Sequence, residues 1–154
     1  SKRVVGPMTG ENDPYERGLK VLFKAYFYKE PDGGGRLLDE EVLKAMAEDH
    51  RMVPSMFRWE EFLEKFKGGI QPKRNKKGAV SFDFRDFRKG LKEVAKEEFK
   101  KEKYSKKYLD YSSKWEALCE FLEASDADAV RRRSRRAEMI MQRKEAAALE
   151  RRKE

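Results

Sequence analysis

Cysteine and histidine are almost missing from this chain: its 154 residues hold one of each, Cys119 and His50. A lone thiol excludes an intrachain disulfide and says little about redox compartment. A lone imidazole leaves no material for a Ser–His–Asp or Cys–His set, or for a His-based metal site. Phosphate-cradling loops are missing too, because Gly33, Gly34 and Gly35 are not followed by the Lys and Ser/Thr such loops need. No run approaches the roughly 20 apolar residues of a membrane span. No signal-peptide pattern opens the chain, although residue 1 is Ser and a preceding segment could have been removed. Carboxylates are plentiful but lie among lysines, as on solvated helical surfaces. An enzyme is not expected.

What the chain does hold is charge and aromatic rings. Charged residues make up 43% of it and hydrophobic ones 38%, against roughly 25% charged in an average soluble domain. Yet there are 10 Phe, 6 Tyr and 2 Trp, the side chains that disordered segments lack. The composition therefore predicts a small aromatic core with highly charged helices attached. The net charge of +8 is uneven: residues 1–70 carry 12 basic and 13 acidic side chains, whereas residues 131–154 carry 10 and 4. Basic character belongs mainly to the C-terminal tail, with a smaller patch at Lys73, Arg74, Lys76 and Lys77.

Residues 1–14, with Gly6, Pro7, Gly10 and Pro14, read as an extended arm. From Tyr15 to Lys29, Leu19, Leu22, Phe23, Tyr26 and Phe27 fall at helical spacing, and Pro31 ends that helix. A glycine-rich loop follows, then a helix with Val42, Leu43, Ala45 and Met46 on its apolar side. The pattern then repeats about 40 residues later. Pro54 and Ser55 suggest the next helix start, with Phe57, Phe62, Leu63 and Phe66 as its buried face, and Gly68 and Gly69 stop it. A loop through Lys73–Gly78 leads to a short strand at Ala79–Phe82 and a helix carrying Phe84, Phe87, Leu91, Val94 and Phe99. Residues 96–109, rich in Lys and Glu, read as an exposed helix or connector. Ser113 and Glu116 fit a capping box, ahead of an apolar face of Trp115, Leu118, Cys119 and Leu122. Asp126 or Asp128 is placed to cap a final helix toward residue 154, too polar to fold unless it lies on something.

The loop from Glu30 to Glu41 carries the chemistry. With Gly35 at position 6 of a 12-residue EF-hand loop, Glu30 takes position 1, Asp32 position 3, Arg36 position 7 (through its carbonyl) and Glu41 position 12. Leu37 falls on position 8, where an apolar residue pairs with the sister loop. Here the sequence resembles the calmodulin-like EF-hand family over about residues 16–99. The match departs from the pattern at Glu30, longer than the usual Asp, at Gly34, and at Leu38, which offers no oxygen at position 9. Three carboxylates and a carbonyl fall short of the about six to eight oxygens Ca²⁺ takes, so at most one weakly bound Ca²⁺ is expected, and no other cofactor. The second loop, with Gly78 at position 6, puts Lys73, Asn75 and Lys77 at positions 1, 3 and 5 and Phe84 at 12, with Val80 at position 8 opposite Leu37. A divalent cation would meet positive charge there and no carboxylate.

The run Arg131, Arg132, Arg133, Ser134, Arg135 and Arg136 is the other candidate site. Guanidinium forks suit carboxylates and phosphates alike, so an acidic protein surface and nucleic acid both remain open, and no nucleic-acid-binding motif accompanies the run. Ser134 among arginines is also a weak kinase-target signal.

The expectation is an all-α fold: paired EF-hand-like helix–loop–helix units over 15–99 with a short two-stranded loop pairing, a connector and amphipathic helix at 100–125, and extended charged helices at 126–154. The expected role is a non-catalytic interaction or scaffold subunit of a larger assembly. It would bind partner proteins through Arg131, Arg132, Arg133, Arg135, Arg136, Trp115, Leu118 and Leu122. By family resemblance one partner would be an amphipathic helix, in a groove lined by Phe23, Phe27, Met46, Phe62, Phe66, Phe87 and Leu91, most of which read first as core positions. Two alternatives stay open: a calcium-responsive sensor through loop 1, and an RNA-associated protein, as on a ribosomal particle, through the tail. A cytoskeletal or ciliary structure and a mitochondrial assembly are both compatible with the sequence.

Overall fold

Apolar side chains at helical spacing set the first element, α1 (Glu16–Tyr26), which buries Leu19, Leu22, Phe23 and Tyr26 on one side. The structure is a computed structural model that describes residues 13–27, 36–74 and 78–152. After α1 come β1 (Arg36–Leu37), α2 (Glu40–Asp49), α3 (Trp59–Gly68), β2 (Lys73–Arg74), β3 (Val80–Phe82) and α4 (Phe84–Phe99). A single 3₁₀ turn at Glu102–Tyr104 leads to α5 (Tyr111–Phe121), α6 (Ala127–Arg133) and α7 (Arg135–Arg152). The chain is mostly helical, with one small sheet of strand order β1-β3-β2.

The sheet differs from a two-stranded pairing in two ways. β2 adds a third strand, antiparallel to β3, with Lys73 opposite Ser81 and Arg74 opposite Val80. Arg74 Nη1 donates to the Gly78 carbonyl at 2.8 Å, and Gly78 turns the loop with φ of +80°, a conformation glycine adopts without Cβ strain. The β1–β3 register is also one residue from the expected one: Leu37 lies opposite Ser81, not Val80, and Arg36 opposite Phe82. Phe23 lies against this pair. The Arg36 guanidinium lies 4.7 Å from its ring centroid and the Phe82 ring 5.8 Å away, so the cross-strand pair shares one inner neighbour.

Around Phe23 the core is aromatic. Its ring centroid lies 5.2 to 5.9 Å from those of Phe27, Phe82, Phe84 and Phe87. Phe66 bridges Phe62 and Phe87, and Gly90 lets α4 approach it, since a Cβ there would sit 2.7 Å from the Phe66 ring. Full burial of one such ring contributes about 1.5–3 kcal/mol. Among the described residues, Phe23, Phe27, Met46, Phe62, Phe66, Phe87 and Leu91 are thus core, each no more than 3% exposed, as most of them were expected to be.

Helix boundaries follow local chemistry that reading by residue type located only in part. Asp39 caps α2 by accepting from the amides of Glu41 and Val42. Asp83 and Asp86 form a capping box on α4. The box on α5 lies one turn earlier than Ser113–Glu116: Asp110 is the cap and Ser113 its reciprocal partner. α3 starts at Trp59 and not near Pro54, because Val53, Met56 and Phe57 turn inward and bury before the helix begins. α2 and α5 end in matching motifs: Arg51 and Glu123 take left-handed backbone (φ 64° and 54°), and the next amides, Met52 and Ala124, reach back to Ala47 and Cys119 at 2.8 and 2.9 Å.

The C-terminal third belongs to the same core. Trp115, Leu118, Cys119, Leu122, Ala124, Val130, Ala137 and Ile140 join one buried cluster with the helices of the first hundred residues. α5 packs on α4, α6 on α1, and α7 on α1 and α2. Contact is closest at Gly18, where a Cβ would fall 1.9 Å from the Ala124 carbonyl oxygen. The expected single final helix is two, broken at Ser134.

Candidate functional site

Two places gather the sequence-selected residues: the start of α2 beside α7, and the α6–α7 joint. Of the loop 1 candidates, Glu30 and Asp32 lie outside the described residues. Arg36 turns inward, donating from Nε to the Phe27 carbonyl. Glu41 stands on the first turn of α2, with its carboxylate mostly in solvent. The charge that faces it is Lys144 of α7, whose ammonium lies 2.7 Å from Asp39 Oδ2 and 3.3 Å from Glu41 Oε2. Partial burial works against that ammonium, but Asp39 and Glu41 outweigh it and hold Lys144 above the ordinary lysine range.

At the second loop Lys73 plays a similar part. Its Nζ lies 3.5 Å from Asp86 and 3.7 Å from Asp83, the capping pair of α4. The Asp86 amide, and after it Lys73, hold the Asp83 carboxyl below its usual range. Among the described residues no three His, Cys, Asp or Glu side chains converge as metal ligands.

The five arginines divide by role. Arg133 reaches Glu123 at 2.6 Å and the Phe121 carbonyl at 3.3 Å, tying α6 to the end of α5. Arg136 reaches Asp49 at 2.9 Å, Glu48 at 3.5 Å and the Ala45 carbonyl at 3.3 Å, tying α7 to α2. Arg131 pairs within its own helix, with Asp128 at 2.7 Å. Arg132 and Arg135 stand in solvent, and Arg135 Nε donates to the Arg132 carbonyl at 3.1 Å. Trp115, Leu118 and Leu122, expected on a partner face, are core residues at 8%, 0% and 0% exposure. They present no surface, because α5 turns its apolar stripe onto α4.

No family model, curated protein or solved structure matches the chain. What it can do is therefore read from its own geometry.

Residue-type reasoning missed one constellation at this joint. His50, fully buried at the end of α2, sits with Nε2 2.9 Å from Ser134 Oγ, and that hydroxyl donates to the Val130 carbonyl at 2.7 Å. The hydroxyl hydrogen being used, Nε2 carries the imidazole proton, and Nδ1 is buried without a hydrogen-bond partner. Burial, and behind it the charge of Arg133, pull His50 down to about 4. Tyr26 stands edge-on to the imidazole and donates to Asp49 Oδ2 at 2.6 Å; burial and this carboxylate push the phenol up. The only signal in the sequence was a histidine one residue past an apolar helical face.

Proposed function

We propose that this protein is a non-catalytic scaffold or adaptor, built on a degenerate EF-hand-like pair whose shape does not depend on calcium. One observation supports the reading: β1, between α1 and α2, pairs antiparallel with β3, between α3 and α4, and a lysine of the chain stands beside the acidic start of α2 and of α4. Lys144 neutralises Asp39 and Glu41 beside the first loop, and Lys73 neutralises Asp83 and Asp86 beside the second. A tethered ammonium is always present, so the pair keeps one conformation at any calcium level.

The surface offered to partners is the α6–α7 face. Arg132 and Arg135 project from it, and Arg131 is half exposed. With Arg133 and Arg136 committed to acidic residues of this chain, the free guanidinium groups suit carboxylates of a second protein in the same way. An acidic protein surface is the proposed partner, since no nucleic-acid-binding motif accompanies these arginines.

Binding of the full chain to an acidic polypeptide and to a single-stranded RNA, each across a salt series, tests this. Polyglutamate binding lost in the double variant Arg132→Glu/Arg135→Glu is the expected result. Retained RNA binding with a steep salt dependence, and no polyglutamate binding, would replace the acidic-protein reading by a nucleic-acid one.

A further inference from the structure

Ser134 is the only serine of the chain with arginine on both sides. Arginine-directed kinases select such serines by charge pattern, and Arg131, Arg132 and Arg135 stand in solvent where a kinase can reach them. Yet the acceptor oxygen lies inside. Ser134 is 5% exposed, and its hydroxyl holds the Val130 carbonyl and the His50 imidazole at the break between α6 and α7.

We propose that Ser134 is a phosphorylation site for an arginine-directed protein kinase, and that the phosphate keeps α6–α7 from reseating on α1 and α2. In the transfer, Ser134 Oγ bonds to the γ-phosphorus of ATP as the bond to the β,γ-bridging oxygen breaks. ADP leaves, and the hydroxyl proton passes to the kinase's base. The reaction takes place on the briefly opened segment, since opening of one segment costs less than global unfolding.

Once made, the phosphoserine cannot return to its place. It carries about −1.5 to −2 charge, and the pocket holds a neutral imidazole and the Val130 carbonyl, with the Tyr26 hydroxyl and the Asp49 carboxylate it donates to beside the imidazole. Outside, the same segment supplies its counter-charges. Arg133 and Arg136 can turn to the phosphate and so leave Glu123, Glu48 and Asp49, the partners that tie the segment down. One modification thus removes the buried hydrogen bonds and diverts both clamping arginines. The proposal stands apart from the scaffold reading and does not depend on it.

The test uses the full chain, a purified arginine-directed serine kinase and ATP, with the phosphate located by fragment mass spectrometry and α7 followed by amide hydrogen exchange. One phosphate at Ser134 is expected. It should form faster in Asp49→Asn or Glu123→Gln, each of which removes the partner of one clamping arginine from outside the basic run. After phosphorylation the amides of Ala137–Met141 should exchange roughly tenfold faster or more. No phosphate at Ser134 in the wild type or either variant would overturn the acceptor assignment. Phosphate at Ser134 with unchanged exchange in α7 would overturn the undocking.

Discussion

Lowering the pH from 7 to 4 should cost the fold about 3 kcal/mol through His50 alone. The folded chain holds this imidazole at about 4, against an ordinary 6.5, because it is buried beside Arg133 and its Nδ1 has no acceptor for a second proton. The unfolded chain, titrating at about 6.5, takes up the proton first, so acid draws the equilibrium toward unfolding. The contribution is complete above pH 6.5, falls as pH drops toward 4, and changes no further once both states are protonated. At about 1.36 kcal/mol per unit, the loss is about 2 kcal/mol by pH 5 and about 3 kcal/mol by pH 4. Urea denaturation at pH 7, 6, 5 and 4 measures it, with His50→Gln as the reference, since glutamine can still donate to Ser134 but does not titrate. Subtracting the two curves removes the carboxylates common to both proteins. A difference between wild type and His50→Gln that stays constant from pH 7 to 4 would refute the buried, neutral His50.

Four further outcomes follow from the packing. Leu118→Ala should lower stability by about 2–5 kcal/mol, measured by chemical denaturation, whereas a partner-surface leucine would lose almost nothing. Gly18→Ala should cost about 1–3 kcal/mol, because its Cβ meets the Ala124 carbonyl and α1 must move away from the α5–α6 corner; thermal unfolding reads this. Arg51→Gly should leave stability unchanged or raise it by up to about 1 kcal/mol, since glycine takes the left-handed backbone at the end of α2 without Cβ strain. Lys144→Met should cost no more than about 1 kcal/mol, as its two carboxylate partners are partly solvated.

Where residue type and spacing carried the information, the sequence was easy to read. The buried stripe of α1 and the turn at Gly78 were visible, the one as periodic apolar positions and the other as a glycine. The ends of α2 and α5 were not, because Arg51 and Glu123 occupy left-handed positions where glycine is the usual marker. Nor could charge alone tell clamp from surface. Arg132 and Arg133 are adjacent and identical in type, but only the second faces an acidic corner, at Glu123. The place of α5 was misjudged for a similar reason. An amphipathic stripe such as Trp115, Leu118 and Leu122 states that something covers it, and only the tertiary fold shows that α4 of the same chain does so. The His50–Ser134 contact joins residues 84 positions apart, beyond the reach of any local pattern.

Isothermal titration of Ca²⁺ into the full chain, followed in parallel by helicity and tryptophan fluorescence, tests the scaffold reading most directly. The proposed scaffold, with Lys144 on Asp39 and Glu41 and Lys73 on Asp83 and Asp86, predicts no micromolar binding and no change in either signal, for the wild type and for Glu41→Gln alike. Micromolar binding that shifts helicity or fluorescence and disappears in Glu41→Gln would contradict it and make the protein a calcium sensor.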